Sequence, residues 1–205
     1  MKLLLLGPVG CGKGTQAAII SKKYNIPHIS TGEIFRWNVQ NNTELGQLAK
    51  PYMEKGELVP EDLTFKLVSD RLSKEDCENG FILDGYPRNI EQAQALDAIV
   101  QLDKVISINI SEEIILERLS TRRMCTQCKQ PTNIKWLVDG KCEKCGGEVY
   151  IREDDKPEVI KNRLAKQSVS NEMIEFYQNK GTFYSVESTN EVEKTFERID
   201  EILKK

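Results

Sequence analysis

The chain has 205 residues, enough to bury a real core as one domain with insertions or as two small ones. Its 32 acidic and 29 basic residues are finely mixed and leave a net charge of −3, which speaks against a nucleic-acid binder working through a broad basic surface. No apolar run approaches the ~20 residues of a membrane span and Met1–Leu6 is too short for a signal-peptide core, so a cytoplasmic protein without membrane contact is expected.

Leu3–Leu6 is a short continuous apolar run, the pattern of a buried parallel strand. Gly7-Pro8-Val9-Gly10-Cys11-Gly12-Lys13-Gly14-Thr15 follows, and Gln16–Ile20 reads as helix. Strand, glycine loop and helix make the context of a phosphate-binding loop. Glycines let backbone N–H groups converge on one spot, and the helix N-terminus adds partial positive charge there. Lys13 can then reach the β and γ phosphates. The spacing Gly7-x4-Gly12-Lys13 fits the Walker A pattern, but Gly14 follows the lysine and the hydroxyl comes one place later, at Thr15. A glycine-rich turn without a ligand is the plain alternative, and the two flanks weigh against it.

Pro27–Ser30 looks like a second strand. His28 is the only histidine; with no second one to share a metal or relay, it is expected to be a packed strand residue. Ser30-Thr31-Gly32-Glu33 reads as a helix entry, with Ser30 or Thr31 as cap and Glu33 closing a box on Ser30. Helices are expected over about 33–40, 43–55 (stopped by Gly56) and from Pro60-Glu61-Asp62 to about Ser73. Phe81–Gly85 is the second strong signal: an apolar strand ends in a carboxylate at the edge where open parallel sheets bind ligands. Asp84 there fits a Walker B role, holding a magnesium-bound water. Asn89 caps a helix to about Val100, Lys104–Ile110 is a strand, and Glu112–Arg123 a helix. Glu153 to about Asn179 returns to helix, entered through Asp154-Asp155-Lys156-Pro157-Glu158; Thr182–Val186 reads as the last strand, and Val192, Phe196, Ile199 and Leu203 as the apolar stripe of a terminal helix. Strands alternate with helices, so the fold class is α/β, a doubly wound five-stranded parallel sheet.

From Met124 to Arg152 periodicity vanishes and turn residues crowd in, as in a small inserted unit. Cys125-x2-Cys128 and Cys142-x2-Cys145, thirteen residues apart, have the spacing of a four-thiolate structural zinc site. With four protein ligands the metal has no open position and is not catalytic. Disulfides or metal-free thiols are the alternatives. Cys11 and Cys77 stand apart and read as small buried residues. Arg36, Arg88, Arg118, Arg122, Arg152 and Arg163 each sit beside a loop, hinge or helix face. Any one of them alone reads as a solvated surface residue. Together they suit phosphoryl transfer, which needs positive groups around the migrating phosphoryl, and no Ser–His or Cys–His pair competes.

These motifs together resemble adenylate kinase of the bacterial, zinc-containing, long-lid type. The resemblance covers nearly the whole length: Gly7–Thr15, Ser30-Thr31-Gly32 with Arg36, Gly56–Val59, Asp84–Arg88 with Gln92, Arg118, Arg122-Arg123, the four cysteines, and Arg152-x-Asp154-Asp155-x-Pro157-Glu158 with Arg163. It implies a P-loop nucleoside-monophosphate kinase fold with a zinc-ribbon-like lid insert. The core would be 1–29, 60–121 and 153–205, the AMP-binding flap 30–59 and the lid 122–152. It implies the reversible reaction of ATP and AMP to two ADP, with Mg²⁺ and a structural Zn²⁺; a monomer is expected separately, because the sequence shows no long exposed apolar stripe. The catalytic residues would be Lys13, Asp84, Arg88, Arg122, Arg152 and Arg163. ATP would be held by Gly10, Cys11, Gly12, Lys13, Gly14, Thr15, Arg118, Arg122, Thr132, Asn133 and Asn190. AMP would be held by Thr31, Arg36, Glu57, Leu58, Val59, Gly85, Tyr86, Pro87, Arg88, Gln92, Arg152 and Arg163, with the Gln92 carboxamide offering adenine one donor and one acceptor. Val9 replaces a usual proline, Asn133 a frequent tyrosine, and Glu187-Ser188 the usual Asp-Gly. Two other readings stay open: a kinase selective for UMP or CMP, and a P-loop ATPase whose zinc ribbon binds nucleic acid. The insert is basic only near its edges and carries Asp139, Glu143 and Glu148, which weighs against the second.

Overall fold

The computed structural model describes residues 1–189 and 191–205. Strand β1 (Lys2–Leu6) leads to helix α1 (Lys13–Tyr24), then β2 (His28–Ser30), α2 (Thr31–Gln40), α3 (Glu44–Lys55) and α4 (Glu61–Leu72). Next come β3 (Phe81–Asp84), α5 (Ile90–Ile99), β4 (Lys104–Asn109) and α6 (Glu112–Thr121). Short strands β5 (Arg122–Cys125), β6 (Pro131–Asn133) and β7 (Val149–Tyr150) follow, then α7 (Pro157–Lys166), α8 (Asn171–Asn179), β8 (Phe183–Glu187) and α9 (Val192–Leu203).

The main sheet runs β2-β3-β1-β4-β8, and every pairing in it is parallel. The fold is therefore the doubly wound α/β sheet that the alternation of elements implies. β1 is central and apolar on both faces because both are covered. Leu3 and Leu5 pack with Ile20, Ile106, Ile199 and Leu203 on one side. Leu4 and Leu6 pack with Leu83, Leu96, Met173 and Tyr177 on the other. Leu4 is fully buried, so Leu4→Ala removes apolar contact and leaves a cavity; urea unfolding should show a loss of about 3 kcal/mol. The strand order reverses at β1, with β3 on one side and β4 on the other. The loop after β1 therefore opens at the switch point where such sheets bind ligands.

Several local expectations change. The stretch from Glu153 to Asn179 is not one helix. Residues 153–155 form a single 3₁₀ turn, and Pro157 starts α7, where its missing N–H costs nothing. α7 closes when the Gln167 N–H bonds the Arg163 carbonyl, and Ser170 opens α8 by accepting the Met173 N–H at 3.3 Å. α6 stops at Thr121, because Arg122 and Arg123 pair with Asn133 and Thr132 in an antiparallel ribbon. The insert, whose sequence shows no periodicity, holds a three-stranded sheet, β6-β5-β7. Ser30 precedes α2 but makes no side-chain cap; it belongs to β2, opposite Asp84. The Thr31 hydroxyl donates to the Asp84 carbonyl instead, at 3.5 Å. Gly56 does end α3, with φ of 69°, and Asn89 does cap α5.

Candidate active site

Gly12 takes φ of 104°, a backbone that side chains avoid, and so turns the chain into α1 with no side-chain cap on the first N–H groups. Those donors and the helix dipole make an anion seat. Lys13 Nζ folds over the loop, donating to Gly7 O at 2.7 Å and Pro8 O at 2.9 Å, with Cys11 Sγ at 3.7 Å. Cys11 is buried beneath, as expected of a small packing residue. Arg118 of α6 donates to Cys11 O at 3.2 Å and to Thr189 O at 2.8 Å, so one guanidinium joins the glycine loop to the segment after β8. The contribution expected of Asn190 lies outside the described residues.

Asp84 ends β3, buried, with Oδ2 3.6 Å from the point where a Gly14 side chain would begin. Burial pushes its carboxyl up, but the His28 imidazole and the Lys13 charge outweigh that and hold it below the ordinary range. His28 is therefore more than a packing residue: Nε2 lies 3.4 Å from Asp84 Oδ2, an imidazole–carboxylate contact without the alignment of a full hydrogen bond. The β2–β3 register sets Ser30 beside Asp84 and His28 one pleat back on the same face.

Asp84 and Gly85 are neighbours, and Gly85 faces a second cavity. It is lined by Thr31 and Arg36 of α2, by Glu57, Leu58 and Val59 after α3, and by Gly85, Arg88, Gln92 and Arg163. Nine of the twelve residues that the resemblance assigns to AMP thus meet at one place. Tyr86 and Pro87 lie buried behind it, and Arg152 stands outside its lining. The Tyr86 hydroxyl donates to Gln92 O at 3.3 Å, and burial pushes its pKa up to about 12. Gln92 Oε1 accepts the Arg88 N–H at 2.9 Å, which keeps one lone pair and the amide NH₂ for a ligand. Thr64 and Gln167 also line the cavity, and neither carries a signal in the sequence that marks it.

Arginines cluster at and beside this cavity. Arg122 grips Asp155 through two bonds, Nε at 2.7 Å and a second from Nη2. Arg163 Nη1 reaches Asp155 at 3.1 Å and Asp154 at 3.2 Å, and Arg36 reaches Asp154 at 3.5 Å. Burial pushes Arg88 and Arg152 each down to about 10, helped by the charges of Arg163 beside Arg88 and of Arg36 and Arg122 beside Arg152. Both stay charged at neutral pH. Among the described residues, five guanidinium groups (36, 88, 122, 152 and 163) face three carboxylates, Asp84, Asp154 and Asp155, so the site carries an excess of positive charge suited to polyphosphate.

The sequence model of the family described as Adenylate kinase matches residues 5–182. The chain belongs to the adenylate kinase family. It is 47% identical over 212 aligned positions to the adenylate kinase of Clostridium tetani, covering 99% of this chain and 98% of that one. The Thermoanaerobacter sp. adenylate kinase shows the same identity and coverage. That of Caldicellulosiruptor bescii is 47% identical over 208 positions, with 97% of each chain covered. The chain is accordingly a nucleoside-monophosphate kinase with the P-loop kinase fold.

In the insert of this kinase, the four thiols of Cys125, Cys128, Cys142 and Cys145 lie within 4.8 Å of one another. The Cys125–Cys145 and Cys128–Cys142 sulfurs are 3.4 and 3.8 Å apart. A tetrahedron of Zn–S bonds ~2.3 Å long needs sulfurs roughly 3.8 Å apart, whereas a disulfide needs ~2.05 Å. The Gln127 N–H turns onto Cys125 Sγ at 3.4 Å, as thiolate ligands accept. The set fits one tetrahedral metal. Thr132 is buried with its hydroxyl on Glu143, and the Asn133 side chain is held by Thr121 and by the Lys135 N–H.

Proposed function

We propose that the chain transfers the γ-phosphoryl of ATP to AMP, giving two ADP, with residues 30–59 as the AMP flap and 122–152 as the lid. The observation that carries this is the adjacency of Asp84 and Gly85: one faces the glycine loop and Lys13, the other the cavity of Thr31, Arg88 and Gln92. Two nucleotides seated there would meet with their phosphates between the arginines. Gly10–Thr15 would cradle the ATP phosphates, Arg118 would lie over its adenine, and Arg36 and Arg88 would take the AMP phosphate. The AMP oxygen attacks the γ-phosphorus in line, while Lys13, Arg122, Arg152 and Arg163 absorb the spreading charge. No side chain needs to act as nucleophile. Magnesium would arrive with ATP near Asp84, whose carboxyl stays ionised, and would supply charge neutralisation on the phosphates. Closing 122–152 over the site would keep water from the γ-phosphorus. The four thiolates would hold zinc, keeping Arg122 and Arg152 in register at the ends of the insert. A cytoplasmic monomer suits this reading.

A panel with MgATP and AMP, CMP, UMP or GMP tests it. ADP should form with AMP at least ~100-fold faster than with the others, since mismatched bases leave the Gln92 amide unpaired. Equal rates with CMP or UMP would make this a pyrimidine kinase and the Gln92 reading wrong. ATP hydrolysis indifferent to every acceptor would overturn transfer between nucleotides.

A further inference from the structure

Gln167 follows α7, one turn beyond Arg163, and its side chain turns back into the monophosphate cavity. Its Oε1 accepts from Arg88 Nη1 at 2.6 Å, and its Nε2 donates to Gly56 O at 2.9 Å. The orientation of the amide follows from chemistry: a guanidinium cannot accept and a carbonyl cannot donate, so only this placement of O and N serves both neighbours. Arg88 has one other tether, Nε to Gly85 O at 2.7 Å. The two bonds lie at separate nitrogens of a planar fork, and together they fix its plane. Among the described residues Nη2 makes no hydrogen bond, so its two N–H groups are left for a phosphate.

We propose that Gln167 is a positioning residue of the monophosphate site, holding the Arg88 guanidinium on its phosphate-facing side and keying it to the Gly56 end of the 30–59 stretch. This rests on the kinase reading above. An uncharged acceptor suits the place, because a carboxylate there would compete with the incoming phosphate for Arg88. The neighbouring ion pair of Lys166 with Glu57, at 2.8 Å, ties the same two segments from the surface but touches no arginine of the site. Gly56 closes α3, so a displacement of that helix end withdraws one of the two partners of the Gln167 amide, and Arg88 is then held less firmly. The arrangement makes the pose of Arg88 depend on where the 30–59 stretch sits.

The test is steady-state kinetics in both nucleotides, with calorimetric AMP binding, on the natural chain, Gln167→Met and Gln167→Glu. Methionine keeps the volume and removes both hydrogen bonds. KM for AMP should rise and kcat fall by about tenfold each, with KM for ATP within twofold, because Arg88 serves the acceptor side. Gln167→Glu loses the donor to Gly56 and adds a charge beside the phosphate; it should raise KM for AMP by about tenfold with KM for ATP unmoved, and it decides the matter if the methionine variant does not fold. A purely structural role would lower the melting temperature, or raise both KM values in one ratio. That result, or AMP parameters within twofold of the natural chain, overturns the assignment. A natural chain inactive with AMP overturns the kinase reading itself, which the same assay reveals separately.

Discussion

Lys13→Met should reduce kcat/KM for ADP formation by about 10³-fold or more while the chain stays folded. The side chain emerges where α1 begins, and its ammonium already spans the loop through Gly7 O and Pro8 O. An ammonium has three donors, so a third remains for a phosphate oxygen once these two carbonyls are satisfied. Methionine keeps the length and apolar stem and removes only the charge. The stability cost should be small, about 1 kcal/mol, because the two carbonyls freed are part-exposed and water can reach them. A melting temperature within a few degrees of the natural one, together with lost transfer, separates the charge from the packing. Lys13→Arg should fail nearly as badly: a flat fork does not fit where a compact ammonium bonds two carbonyls of one tight loop. Transfer within tenfold of the natural rate in the methionine variant would mean that the phosphates are held elsewhere.

The loop was readable in the sequence because its physics is local. Glycines, a lysine and an apolar run lie within fifteen residues, and each dictates its own backbone. The sheet was readable for a related reason, since strands buried on both faces leave unbroken apolar runs. What depends on distant register was not. His28 looked like packing because nothing in its neighbourhood indicates that β2 lies beside β3, or that this register brings the His28 ring to within 3.4 Å of the Asp84 carboxylate. Asp154 and Asp155 were visible as an acidic pair, yet their work on Arg36, Arg122 and Arg163 is tertiary. The break between α7 and α8 was hidden because 158–179 contains no proline or glycine, and the Ser170 cap is a weak signal within a helical pattern. Gln167 falls in that same break, so the residue proposed to position Arg88 sat where the sequence pointed to a featureless helix interior.

The second large effect concerns the insert. Purified chain should carry about one zinc per molecule, and Cys142→Ser or a strong chelator should remove it and lower the melting of residues 122–152 by roughly 10 °C or more. The reason is the poverty of the insert's own core. Ile134, Trp136, Val138, Tyr150 and Ile151 are all exposed, and none of its residues joins the main apolar clusters. What it buries includes Met124, Thr132 and the thiol-bearing Cys125 and Cys142. Strands of two to four residues cannot hold themselves together without such a centre. Structural zinc in small domains contributes about 10–16 kcal/mol, far more than this sheet can gain from apolar contact. Activity should fall with the metal, because β5 begins at Arg122 and the chain leaves β7 just before Arg152. Losing the ribbon frees both guanidinium groups from a common frame, although Asp155 still tethers Arg122 from outside it. Calorimetry should therefore show a low transition for the insert separating from that of the main sheet, and zinc added back to the chelated natural chain should merge them. Metal-free protein with unchanged melting and transfer would make the four thiols bystanders, and the insert would need another source of order that its exposed side chains do not provide.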